Sequence, residues 1–379
     1  MKRLSATLLA LFALSVPGRA ADTEMTKAEV QSLARAIVPA DKDAAGWGAD
    51  IASALDANGI RRSRSNLCSV MAVIGQESTF TANPEVKGLG QIAERQIKAK
   101  LSAFPVLPRT AAAQGINWFL ATRPSPQKSY LTMIRAARTE RDLDLVYRNM
   151  VFFLFREYAT SRILNTATVA HRIDAANPVS TLGSMQVSAA FVIAEVERAK
   201  NRRLGASAIW KLRDELYTRR GGIEYGTRML LGYRAEYPSR LYVFADYNAG
   251  RYASRNAAFQ HMVATLSGKA LALDGDLLIY DGGTPKTAAG ATEQALQRLK
   301  LFSTKALRAD LLHEKDFGFR DTATYAAVAE AFTAKTGKPA PYAMLPRIDL
   351  KSPKIRHHMT TAMFATSVMR RYDRCMGAR

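Results

Sequence analysis

The chain has 379 residues, 48% hydrophobic and 23% charged, with a formal net charge of +21. That balance excludes a disordered, collagen-like or disulfide-scaffold protein, and the length suits one large or two ordinary globular domains. The basic excess favours an anionic partner: nucleic acid, a membrane surface or a cell-wall polymer. Its plain alternative is a solvated basic surface, because the arginines lie in scattered pairs such as Arg61-Arg62 and Arg370-Arg371 and form no tail.

Residues 1–20 read as a secretory signal peptide. Met1-Lys2-Arg3 is a positive start, Leu4 to Val16 an apolar run, and Gly18-Arg19-Ala20 supplies small residues for cleavage after Ala20. Removing it leaves a charge of about +18. No later stretch reaches the roughly 20 apolar residues of a spanning helix. The expectation is an exported, periplasmic or otherwise cell-envelope soluble protein with no transmembrane anchor, which makes nucleic acid the least favoured partner.

Thr26 to Val38 and Trp47 to Leu55 read as two short helices, parted by Pro39 and Gly46. The stretch from Leu67 to Phe80 follows, with Leu67, Val70, Met71 and Ile74 on one helical stripe and Ser65 placed to cap it. Glu77 lies three residues past Ile74 on that stripe. A carboxyl on a core-facing stripe is costly to ionise and suits a general acid, whereas a helix simply ending there would turn it to solvent. Ile92 to Phe104 is a further candidate helix, and Thr139 to Tyr158 a strongly amphipathic one with Thr139 and Asp142 at cap spacing. Helical character resumes over Met185 to Lys200, Ile209 to Tyr217 and Ile223 to Tyr233, the last two divided by Gly221-Gly222. Past Gly268, Leu271 to Leu273 and Leu277 to Tyr280 flank Asp274-Gly275-Asp276 as a plausible hairpin, and Asp281-Gly282-Gly283 reads as a linker. Glu293 to Leu301, Thr322 to Thr333 closed by Gly337, and Ile355 to Cys375 complete a mainly α chain.

Cys68 and Cys375 are the only cysteines. In an oxidising compartment they suit a bridge between the central and C-terminal helices, though Cys68, beside an apolar stripe, also suits a buried thiol. The five histidines show no metal-ligand spacing, so neither a metal nor another cofactor is expected.

Three strings stand in order: Gln76-Glu77-Ser78, Gly183-Ser184-Met185-Gln186-Val187, and Ala245-Asp246-Tyr247-Asn248-Ala249-Gly250. They resemble the three signatures of the lytic transglycosylases, which share the goose-type lysozyme fold. As a whole the chain resembles a divergent family of exported bacterial proteins allied to them. The resemblance implies a lysozyme-like domain over 21–268, carrying a helical insertion over about 93–177 that folds outside the groove, and a mostly helical C-terminal extension over 269–379. It implies Glu77 as the single catalytic acid/base. Ser78, Met185, Gln186, Tyr247 and Asn248 would bind substrate or orient Glu77. The implied partner is the glycan strand of peptidoglycan, cleaved between N-acetylmuramic acid and N-acetylglucosamine to leave 1,6-anhydro ends.

One carboxyl suffices for that chemistry when the sugar's N-acetyl group stabilises the developing cation and its own 6-hydroxyl displaces it. The first two motifs are separated by about 108 positions, far more than in simple members, and Gly88-Leu89-Gly90-Gln91 is a nearer rival for the second. Asp246 stands where the family carries a small or apolar residue. It is therefore a candidate second carboxylate, as is Glu224, for a hydrolytic reaction with water. A silent glycan-binding or scaffold protein of the same fold is the non-enzymatic alternative.

Overall fold

The computed structural model describes residues 23–101, 112–158, 166–281, 283–350 and 358–378. The stretch 1–20, read from the sequence as a signal peptide, lies outside them. The described chain is mainly helical, in the order α1 (Lys27–Ile37), α2 (Ala44–Ala57), α3 (Arg64–Glu77), α4 (Leu89–Leu101), α5 (Ala112–Thr122), α6 (Tyr130–Ala136), α7 (Glu140–Tyr158) and α8 (Ala167–Ala176). A two-stranded antiparallel hairpin, β1 (Thr181–Leu182) and β2 (Val187–Ser188), comes next. Then follow α9 (Ala189–Lys200), α10 (Ala206–Leu216), α11 (Arg219–Leu231), α12 (Arg240–Ala249) and α13 (Ala253–Ser267). A second hairpin, β3 (Tyr280–Asp281) and β4 (Thr284–Pro285), precedes α14 (Ala291–Leu299), α15 (Thr304–Leu311), α16 (Ala323–Thr336) and α17 (Thr361–Gly377).

Local chemistry explains most boundaries. Thr26 and Glu29 form a reciprocal capping box at α1, and Thr322 and a left-handed Gly337 bracket α16. Thr139 and Asp142 bond each other's backbone N–H at the start of α7. At α3 the cap is Ser63, which accepts from the Asn66 N–H, and the predicted cap Ser65 instead shares a hydrogen bond with the Tyr372 hydroxyl. Gly221 and Gly222 do not separate two helices. They lie inside the first turn of α11, whose cap is Thr218.

α3 is the buried axis, with every residue from Leu67 to Gly75 sequestered. One core cluster joins it to α1, α2, α7, α10, α11 and α12 and takes in Phe364, Ala365, Val368 and Cys375 of α17. A second, smaller cluster gathers Phe259, Met262 and Val263 of α13 with Leu277, Leu296, Leu311, Phe319, Val328 and Phe332. The expected C-terminal extension is thus two things. Residues between α13 and α16 build a satellite core, whereas α17 returns to the main core against α3 and α12. A disulfide between Cys68 on α3 and Cys375 on α17 fixes that return across 307 positions of sequence. Such bonds persist in oxidising compartments.

The hairpin expected over Leu271 to Tyr280 is not formed. Gln260 on α13 accepts from the Gly275 N–H and donates to Asp274 and to the Asp276 carbonyl, so the loop is pinned to a helix and has no partner strand. Of the predicted linker Asp281-Gly282-Gly283, Asp281 pairs with Thr284 in the second hairpin, and Gly282 lies outside the described residues.

Candidate active site

Glu77 is the last residue of α3. Ser78 ends the helix by donating its hydroxyl to the Ile74 carbonyl, so its side chain serves the helix terminus. Thr79 and Phe80 then adopt left-handed conformations (φ +48° and +55°), and Phe80 packs edge-on against Trp47 at 5.5 Å between ring centroids. Two such residues in succession are uncommon away from functional sites. The turn leaves Glu77 hemmed in by protein yet partly exposed. Loss of water pushes its carboxyl up to about 7, with the negative charge of Glu140 adding to the rise.

The second motif is a turn, not the start of a helix. Gly183 at φ +74° and Gln186 at φ +51° close β1 onto β2, and α9 begins only at Ala189. A β-carbon on Gly183 would meet the Leu216 carbonyl oxygen at 2.1 Å, and one on Gly226 would meet Met185 Sδ at 2.4 Å. Gly222 and Gly226, one turn apart on α11, make the bed on which this hairpin lies. Met185 is fully buried in it, so its side chain packs and its backbone carries the connection: the Tyr247 hydroxyl donates to the Met185 carbonyl at 2.7 Å. Tyr247 is buried on α12, and its hydroxyl is held protonated by that burial and, secondarily, by the charge of Glu77. Gln186 accepts from the Thr181 hydroxyl at 2.8 Å and donates to Glu140 Oε2 at 2.8 Å. Asn248 accepts from the Thr361 hydroxyl at the start of α17, at 2.8 Å.

The structure therefore brings Glu77, Met185, Gln186 and Tyr247 together, with Asn248 flanking them. Asp246 belongs elsewhere. Its carboxylate accepts from the hydroxyls of Tyr233 and Tyr237 and from the backbone N–H groups of Tyr252 and Ser254, at 2.7–3.0 Å. Burial raises its carboxyl against the pull of those bonds. It ties α12 to α13 as a structural knot. Glu224 is half-buried on α11, with its carbonyl accepting from Asn58. Of the acidic residues, it is Glu140 whose charge acts on Glu77.

Glu140 was not singled out in the sequence; it opens α7 and lies within the segment, about 93–177, expected to fold outside the groove. The rival Gly88 to Gln91 is occupied otherwise: Gly88 turns into α4 at φ +74°, and a β-carbon on Gly90 would meet the Arg135 carbonyl at 2.4 Å. A groove of about 690 Å³ lined by Tyr242, Met344, Arg347 and Thr360 lies beside the start of α17 and does not include Glu77, so convergence of side chains defines this site. Among the described residues, no cluster of three His, Cys, Asp or Glu side chains is arranged to hold a metal. Nor is any described helix long and apolar enough to cross a membrane.

A family model described as "Protein of unknown function (DUF1615)" matches residues 40–378. The chain is 36% identical over 382 residues to the uncharacterized protein YaiW of Escherichia coli (strain K12), covering 98% of this chain and 97% of that one. No solved structure matches.

Proposed function

The chain belongs to the DUF1615 family, and we propose that it is an exported enzyme of lysozyme-like fold that cleaves peptidoglycan glycan strands, with Glu77 as acid and then base. The observation that carries this reading is a carboxyl protonated up to about pH 7, partly open to solvent, beside a tyrosine tied to the Gly183–Gln186 turn. Tyr247 and Gln186 are neutral holders, which position without adding charge.

In the proposed reaction Glu77 gives its proton to the oxygen joining N-acetylmuramic acid to N-acetylglucosamine as the C1–O bond breaks. The substrate's N-acetyl oxygen stabilises the cation at C1. The 6-hydroxyl then closes onto C1, and the Glu77 carboxylate takes its proton, leaving a 1,6-anhydro end and a regenerated acid. The disulfide between Cys68 and Cys375 supports an oxidising, exported setting, and the basic surface suits an anionic wall polymer.

The test is digestion of purified peptidoglycan with mass spectrometry of the released ends. The parent protein is expected to yield anhydro ends, and E77Q to lose about 100-fold or more in rate. Reducing ends would replace the 6-hydroxyl by water as nucleophile. Tight glycan binding without product from the parent would leave a binding protein, and E77Q digesting as fast as the parent would remove Glu77 from the chemistry.

A further inference from the structure

Gln76 lies between the buried run of α3 and Glu77 and has no part in the proposed reaction. Its side-chain oxygen accepts from the Ser367 hydroxyl at 2.7 Å and from Arg371 Nε at 3.2 Å, both on α17. Two donors fix the amide, with its oxygen towards α17 and its nitrogen away from it. The guanidinium lies alongside the last turn of α3: a β-carbon on Gly75 would stand 3.8 Å from Arg371 Cδ and Nη1. The register of α17 is fixed here. Tyr372, the next residue, shares a hydrogen bond with Ser65 at 2.9 Å, and Cys375, one turn on, is bonded to Cys68.

Arg371 is exposed, as are Arg370 and Arg374 within the same turn of α17. Asp373 is the single acid of that helix, and among the described residues none of the three arginines stands in an ion pair. By contrast Arg135, Arg138 and Arg234, each more than half exposed, pair with Glu94, Glu85 and Glu236. With Nε bonded to Gln76, Arg371 keeps the Nη1–H and Nη2–H groups of its outer edge, a fork that matches a carboxylate.

We propose that Arg371, backed by the charge of Arg370 and Arg374, receives a carboxylate of the peptide that peptidoglycan carries on N-acetylmuramic acid, so that the site takes peptide-bearing strands. This rests on the reading of Glu77 as the acid that cuts the glycan, but its first test needs no turnover. Position favours this anion over an anionic membrane. A group held by Arg371 lies against the residue next to Glu77, where a strand being cut must also lie. The fixed register of α17 means that little ordering of the arginine remains to oppose binding.

The probes are soluble peptidoglycan fragments of one glycan length in three forms: peptide-bearing, peptide-bearing with its carboxylates esterified, and stripped of peptide so that only the lactyl carboxylate remains. Calorimetry reads their binding to E77Q and to E77Q carrying R371Q, R371K or R298Q, the last removing an exposed charge from α14 in the satellite core. R371Q is expected to weaken the peptide-bearing fragment about three- to tenfold and the other two by less than about 1.5-fold, with R371K between and R298Q unchanged. In the chain that keeps Glu77, R371Q should raise KM and leave kcat within about twofold. No loss in R371Q, an equal loss for charged and esterified or stripped fragments, an equal loss in R298Q, or a fall in kcat with KM unmoved would overturn the proposal. So would lost binding of R371Q to phosphatidylglycerol vesicles with none lost for the fragment. If E77Q still digests glycan while the charge-selective loss holds, the functional reading fails and the carboxylate site stands.

Discussion

Replacing Gly226 by alanine tests whether the second motif is seated on α11. In a helix interior the change from glycine to alanine gains about 1 kcal/mol through backbone entropy. At Gly226 the new carbon would stand 2.4 Å from Met185 Sδ and 2.8 Å from Met185 Cβ. The thioether can swing aside, but Cβ moves only if the turn moves with it. Overpacking of this kind costs about 1–3 kcal/mol, so the net effect is a loss of about 0–2 kcal/mol. Gly75, two residues before Glu77, is the internal comparison, since its nearest atoms would be 3.5 Å away on Phe80 and 3.8 Å away on Arg371. G75A should therefore be neutral or up to about 1 kcal/mol more stable. Urea denaturation reads both. Glycan release per folded molecule should fall further in G226A than its stability does, because a shifted turn carries the Met185 carbonyl away from the Tyr247 hydroxyl. If G226A is as stable as G75A and cleaves like the parent, the hairpin does not rest on α11 and the argument for convergence loses its middle link.

Glu77 makes folding pH-dependent with a definite sign. Its carboxyl is raised from 4.5 to about 7, so between those values the folded chain holds a proton that the unfolded chain has released. Stability falls as pH rises through that window and flattens above it, and E77Q escapes the loss. The two proteins should match near pH 4 and differ by up to about 3 kcal/mol in favour of E77Q at pH 8; parallel stability profiles would contradict the raised value. Converting Cys68 and Cys375 to serine should cost about 2–5 kcal/mol by releasing a loop of 307 positions, read as a lower melting temperature that reductant no longer changes. D246N should destabilise by about 1–3 kcal/mol, because its amide presents hydrogens to groups that also donate. Its rate per folded molecule should stay near that of the parent, whereas a selective loss of rate would return Asp246 to the chemistry.

What the sequence made legible was local. The starts of α1, α7 and α16 announce themselves because cap and partner lie within three or four positions of each other. Glu77 was found because an acid on an apolar stripe is conspicuous without any partner in view. Met185 misled as to element, because an apolar residue ahead of α9 continues its periodicity, and only the left-handed Gly183 and Gln186 separate a turn from a helix. Ser63 and Ser65 compete for one cap, and the choice depends on a tyrosine arriving from α17. Glu140 could not be singled out, since its meaning comes from a glutamine in another hairpin and a carboxyl on another helix. The one signal it offered was the Thr139–Asp142 box, which places residue 140 at a helix start.

Gln76, beside the acid, accepts from Ser367 and Arg371, and Asn248, beside the tyrosine, accepts from Thr361. All three donors ride on α17. The residues beside Glu77 and Tyr247 therefore stay unbraced until α17 has docked. A version cut short before Thr361 would keep every motif of the site and still lack the brace on both of its walls.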